Sequence, residues 1–198
     1  MNISAKEIAG LRAKTGLPMM EVKVALQEAG GDETKAIEIL RKKGLSKSEK
    51  RADRETSNGV VDSYIHGGKI GVLVEVLCET DFVARTADFK NFAHEISLQV
   101  VASAPKYLSR DQVPEEEIAK EKEFYLAEAK NSGKPEAIIE KIVEGKLNTF
   151  LAAICLLNQP YFRDPKKTVA DILADVVAKT GEKIVVGRFC RFDLSDKI

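Results

Sequence analysis

Three cysteines and two histidines are the side chains with which this 198-residue chain could form a thiol nucleophile or a zinc cage, and their spacing decides how much they carry. Cys78, Cys155 and Cys190 stand apart with no Cys-x-x-Cys pair, and His66 and His94 have no companion at ligand spacing. Neither a zinc cage nor a dithiol redox couple is expected, and no metal or other cofactor is assigned. Cys78 beside Glu79, with His66 across a turn, is the one arrangement that resembles a thiol with a base. It ends the apolar run Ile70–Leu77, where a thiol is packing rather than reagent, so no enzymatic chemistry is expected. A different kind of chemistry is offered by Glu79-Thr80-Asp81-Phe82-Val83. Short acidic and hydroxyl side chains stop the strand, and a large ring follows where the chain turns back toward water. A ring flanked by a carboxylate suits insertion into a partner. Tucking under its own sheet is the commoner fate of an aromatic side chain when the residue is considered alone.

Composition limits the partners. The 31 Lys and Arg balance 31 Asp and Glu, so no global field recruits nucleic acid or an anionic membrane. Met1-Asn2-Ile3-Ser4 lacks the basic and apolar regions of a secretory leader, and no stretch approaches the roughly 18 apolar residues of a membrane span. With its cysteines scattered, the chain is expected in the reducing cytoplasm.

The elements that must position these residues are well punctuated at the front. Ser4-Ala5-Lys6-Glu7 is a capping box, with Ile3 and Ile8 as its hydrophobic staple, and predicts a helix from about Ala5 to Thr15-Gly16. Pro18 is placed in the first turn of a second helix with Val22, Ala25, Leu26 and Ala29 on one face, stopped by Gly30-Gly31. Asp32 caps a third, with Ala36, Ile37 and Leu40 inward and Gly44 as the stop, so residues 1–44 form a three-helix unit. Met19, Met20 and Lys23 lie off the apolar stripe beside Arg12, where adaptable thioethers among cations suit docking, although a methionine filling an internal gap fits equally well. Residues 45–56 are rich in charge and poor in apolar side chains, and read as an exposed linker or a frayed helix.

Behind it, residues 57–198 alternate strand and helix patterns. Val60–His66 and Ile70–Cys78 flank Gly67-Gly68 as a hairpin, the second strand so apolar that both faces are expected to be covered. Thr86 or Asp88 opens a helix carrying Phe89, Phe92, Ala93, Ile96, Val100 and Val101, and Pro114 with Glu115–Glu117 opens another that Ser132-Gly133 closes. A longer helix after Pro135 includes Ile138, Ile142, Leu147, Phe150, Leu151 and Ile154, and Thr168 caps a last one through Ala178. Lys183–Leu194 alternates as a third strand, with Cys190 expected as a buried free thiol. The fold class is α+β: a small, about three-stranded antiparallel sheet packed with helices.

Two longer patterns carry a resemblance. Leu11-Arg12-Ala13-Lys14-Thr15-Gly16-Leu17-Pro18-Met19-Met20-Glu21-Val22-Lys23 is similar to the N-terminal signature of bacterial elongation factor Ts, and Glu75–Arg85, around Thr-Asp-Phe-Val, to its second signature. Tyr64–Leu73, Ile142–Leu147 and Gln159–Val169 extend the similarity over nearly the whole chain. The resemblance implies a guanine-nucleotide exchange factor for elongation factor Tu, with a ubiquitin-associated-like domain at residues 1–44, a linker at 45–56, and a core dimerisation and exchange domain at 57–198. It implies that Phe82 wedges into the partner's GTPase domain near its magnesium, flanked by Thr80, Asp81 and Val83, and that Arg12, Met19, Met20 and Lys23 dock the N-terminal domain on the same GTPase. Leu77 stands where the family usually has Asn, and Gln99 where several members carry a partner-contacting His. The hairpin motif Ser63–Leu73 occurs once, whereas longer members duplicate the core, which implies a homodimer with the last strand at its interface.

Overall fold

The computed structural model describes residues 3–49, 53–130 and 135–196. They divide into two units, each gathered from several stretches: residues 1–61, 75–93 and 171–187 in the first, and 62–74, 94–170 and 188–198 in the second.

The first unit begins with α1 (Ala5–Thr15), α2 (Met19–Glu28) and α3 (Glu33–Glu49). The capping box opens α1: Ser4 Oγ accepts from the Glu7 amide at 3.2 Å and Glu7 accepts from the Ser4 amide at 2.7 Å. Gly16, at φ 70°, closes it in the left-handed conformation that costs glycine least. Pro18 is the N-cap of α2, one residue earlier than expected, with ψ at 136° and Met19 as the first helical residue. Ile8, Leu11, Leu17, Val22, Ala25, Leu26, Ala36 and Leu40 bury one another, joined by Ile39 and by Ala178. Two expectations for α3 fail. Ile37 is exposed, and Ile39, partly buried, packs against the core of Ala36 and Leu40 instead. Nor does Gly44 stop the helix. A side chain there would lie 3.6 Å from the Ala178 Cβ, so this glycine is a buried contact point, and the modest helical penalty of glycine is outweighed by packing. The linker at 45–56 includes residues 50–52, which lie outside the described residues.

β1 (Asn58–His66), β2 (Ile70–Cys78) and β5 (Ile184–Asp193) form a three-stranded antiparallel sheet in the order β1-β2-β5. Gly67 and Gly68, both with positive φ, make the two-residue hairpin turn, closed by Lys69 N–H to the His66 carbonyl at 3.0 Å. β1 starts at Asn58, two residues earlier than expected, and Gly59 lies within it: a Cβ there would come 2.2 Å from the Val76 carbonyl oxygen. Val72, Val74, Val76 and Cys78 are buried along β2, but Leu73 between them is exposed. Only one face of this strand is sealed, so its apolar second face is not the sign of a covered sheet. Beyond β2 come a single-turn helix, α4 (Asp81–Ala84), and α5 (Ala87–Ser103), which Thr86 opens by accepting from the Phe89 amide at 3.3 Å.

In the second unit α6 (Glu115–Lys130) and α7 (Glu136–Ile154) form a helical pair. The stop of α6 at Ser132-Gly133 lies outside the described residues. Ala129, Ile139 and Val143 form one cluster of the unit and Val113, Leu151 and Cys155 another. Ile138, expected inward, is exposed, and its neighbour Ile139 is buried instead. A small antiparallel ribbon follows, β3 (Pro160–Tyr161) with β4 (Asp164–Thr168), which periodicity did not predict. Buried Gln99 secures it, accepting from the Phe162 amide at 2.9 Å while its amide nitrogen lies 3.2 Å from both Gln159 Oε1 and the Pro160 carbonyl. The last helix, α8 (Val169–Thr180), belongs to the first unit from residue 171 onward and leads to β5. The α+β class therefore stands.

Candidate partner-binding site

Thr80, two residues beyond β2, is extended and caps α4, its hydroxyl accepting from the Val83 amide at 3.4 Å. A helix of four residues cannot hold itself by backbone bonds alone, so its neighbours matter. Glu182, 102 residues further along the chain, accepts from the Thr80 amide at 3.0 Å and from the Thr80 hydroxyl at 2.6 Å, one carboxylate oxygen for each. Glu79 is fixed from the same side by the Lys183 amide at 2.6 Å and by Arg54 at 3.1 Å, and the Asn58 amide group donates to the Glu79 carbonyl at 2.9 Å. The turn is thus held at both residues that precede the helix. Val83, 5% exposed, anchors α4 in the unit's interior, and Phe82 stands out from it at 78% exposure. Asp81 is also exposed and pairs with Arg85 at 2.9 Å, a solvated contact of small energetic weight.

Of the residues singled out from the sequence, Thr80, Asp81 and Phe82 therefore form one outward-facing turn, and Val83 is its root. Met19 and Met20, 52% and 65% exposed, sit in the first turn of α2, with Arg12 exposed on α1 and Lys23 half-buried. Their thioethers fill no gap between helices, since Leu11, Leu17, Val22 and Leu26 complete that core. Gln99 faces inward in the network that holds β3, and Leu77 is half-buried. The carriers of the turn, Glu182, Lys183, Arg54 and Asn58, had no signal in local sequence, because their partners come from distant stretches of chain.

Reactive groups are placed for packing. Cys78 is fully buried and its thiol donates to the Thr80 carbonyl at 3.2 Å. Burial, reinforced by the nearby Glu182 carboxylate, pushes that thiol above its ordinary range, the reverse of what a nucleophile needs. Cys155 is buried and shifted upward for the same first reason, whereas Cys190 is exposed on β5, contrary to expectation. On the face where Ile184 and Val186 are buried, the later residues Arg188, Cys190 and Phe192 are exposed. Among the described residues no cluster of three or more His, Cys, Asp or Glu is arranged to hold a metal ion, and no helix is long and apolar enough to cross a membrane.

The geometry can be set beside known proteins. A family profile described as elongation factor TS matches residues 33–196. Elongation factor Ts of Moorella thermoacetica is 52% identical over 197 residues, covering 99% of this chain and 97% of the relative. Elongation factor Ts of Thermoanaerobacter sp. strain X514 is 53% identical over 197 residues, with the same coverage of 99% and 97%. The Coprothermobacter proteolyticus protein of that name is 53% identical over 197 residues, covering 99% of this chain and 100% of the relative. At this level of identity over essentially full length, the chain belongs to the elongation factor Ts family.

Proposed function

We propose that the protein promotes release of GDP from elongation factor Tu, with Phe82 as a wedge near the magnesium and phosphate site of the GTPase domain. The observation that carries this reading is the exposure of Phe82 on a turn held at Glu79 and Thr80: a ring left 78% in water gains only on meeting another surface. A GTPase holds its nucleotide through phosphate-loop amides, a lysine and magnesium, so a small displacement near the metal weakens several charge-assisted contacts together. Nanomolar nucleotide binding represents about 12 kcal/mol, of which the exchange factor must offset a part with its own interface energy. By linkage, returning nucleotide weakens the factor's hold to the same degree, so one surface serves both release and dissociation. Phe82 supplies rigid apolar bulk, and Thr80 and Asp81 supply polar contacts, with Asp81 placed to disturb magnesium coordination or a hydrogen bond beside it.

Arg12, Met19, Met20 and Lys23 are assigned to docking on the same GTPase domain, with residues 1–44 as the docking domain, 45–56 as its connection, and 57–198 as the exchange and dimerisation domain. No bond of a substrate is made or broken and no cofactor is used. The protein acts in the cytoplasm without direct nucleic-acid contact. Exposed Phe192 and Leu194 at the end of β5 favour a homodimer through that strand. Stopped-flow release of a fluorescent GDP from elongation factor Tu tests the reading. The native chain is expected to accelerate release strongly, and Phe82→Ala to lose most of the acceleration without a change in thermal midpoint. Equal rates with both proteins would remove the wedge.

A further inference from the structure

We infer that Glu182 is a positioning residue for the exchange turn, acting through Thr80 to hold Phe82 in one orientation. The inference rests on the wedge reading of Phe82 and goes beyond it, because Glu182 is outside the Thr-Asp-Phe-Val motif and comes from the turn between α8 and β5. Its carboxylate meets two donors of one residue: the Thr80 amide at 3.0 Å and the Thr80 hydroxyl at 2.6 Å. With its proton committed to Glu182, the Thr80 hydroxyl must present a lone pair to the Val83 amide, at 3.4 Å, which is the bond that caps α4. Glu182 thereby sets the direction of the cap as well as the position of the backbone. The backbone that carries this carboxylate is itself seated: the Glu182 amide donates to the Thr180 hydroxyl at the end of α8, at 3.4 Å, and the next amide, of Lys183, donates to Glu79 at 2.6 Å.

The two segments are therefore cross-linked in both directions, Glu182 reaching to Thr80 and Glu79 reaching to Lys183. Phe82 makes none of these bonds, yet its Cα lies inside the four-residue helix they define. A wedge works only if the ring does not yield when pressed, so orientation fixed before docking spares the interface the cost of ordering the turn. Charge-assisted bonds of this kind contribute more than neutral ones, and partial exposure to water reduces their weight here. Truncation of Glu182 is expected to slow maximal exchange about five- to tenfold, the lower part of the range that one such contact governs.

The test is a double-mutant cycle read by release of fluorescent GDP from elongation factor Tu at saturating exchange factor, using the full chain as Glu182→Ala, Phe82→Ala and the pair. The expected result is a loss in each single variant and no further loss on adding Glu182→Ala to Phe82→Ala, with the concentration for half-maximal effect little changed by Glu182→Ala. Hydrogen exchange of the peptide over residues 79–86 should quicken in Glu182→Ala, and that over α5 should not. Glu182→Gln, which keeps the size and one acceptor oxygen, is expected to recover part of the rate and guards against a folding defect. If Phe82→Ala is impaired while Glu182→Ala exchanges at the native rate, or if the two losses multiply, the positioning role is overturned and the wedge survives. If Phe82→Ala itself exchanges at the native rate, the wedge reading fails and takes this inference with it.

Discussion

Phe82 and Tyr161 are both aromatic residues beside tight turns, and the groups around each decide its use. Phe82 has an anchored backbone and a bare ring. Tyr161 instead donates its hydroxyl to Glu95 at 2.6 Å, and Arg163 grips the same carboxylate at 2.6 and 2.9 Å. Burial first, and the Glu95 carboxylate second, push the Tyr161 hydroxyl up to about 12 from the usual 10.0. Burial alone would raise Glu95, but Arg163 and Tyr161 outweigh it and hold it low. Because the folded value of Tyr161 is raised, its contribution to stability is complete below pH 10 and is lost as pH rises toward about 12. An alkaline titration by tyrosinate absorbance should show a late phase at about pH 12 from Tyr161, while Tyr107 and Tyr125 are also raised from 10.0. Tyr161→Phe should remove the late phase and Glu95→Gln should bring it earlier; a late phase that survives Tyr161→Phe would contradict the assignment. At this scale the turn was legible, because Thr80 and Asp81 stop a strand, but the residue alone favoured Phe82 under its own sheet, and its exposure comes from the structure. Glu182 was not legible, since nothing in its own neighbourhood names Thr80 as its partner.

At the scale of elements, capping chemistry was the most readable signal. Ser4 with Glu7, Gly16, Thr86, and Pro114 with its acidic run all mark helix ends where the structure has them. Periodicity was right in kind but wrong in phase at Ile138, where adjacent Ile139 is the buried one, and at Ile37, where Ile39 two residues on packs partly buried against the core. The ribbon of β3 and β4 escaped because a two-residue strand opening on proline has no period to detect, and its register depends on buried Gln99. Glycines report on elements in opposite senses. Gly59→Ala would drive a methyl group against the Val76 carbonyl and should cost about 2 kcal/mol or more. Gly145→Ala, in α7 with open space around it, should stabilise by about 0.5–1 kcal/mol. Chemical denaturation of the two variants checks the pair; similar shifts of the same sign would contradict the packing of β1 on β2 at Gly59.

For the whole molecule, neutral net charge leaves shape and local contacts, rather than a long-range field, to choose the partner. The apolar second face of β2 suggested burial within the chain, yet Leu73 is exposed, as are Phe192 and Leu194 on β5 and beyond its end. One chain's sequence cannot distinguish a face covered by its own helices from one covered by a second copy, because both read as apolar. Sedimentation equilibrium is expected to give twice the chain mass, and Phe192→Asp to shift it toward the monomer; a native chain that sediments as a monomer at all concentrations would contradict the dimer. Exchange itself is tested by the dependence of GDP release rate on exchange-factor concentration. Phe82→Ala should lower the plateau at least tenfold and leave the half-saturating concentration within about twofold, since a group used mainly in the strained complex acts on the maximal rate. An unchanged plateau with a raised half-saturating concentration would make Phe82 a docking contact and contradict the wedge.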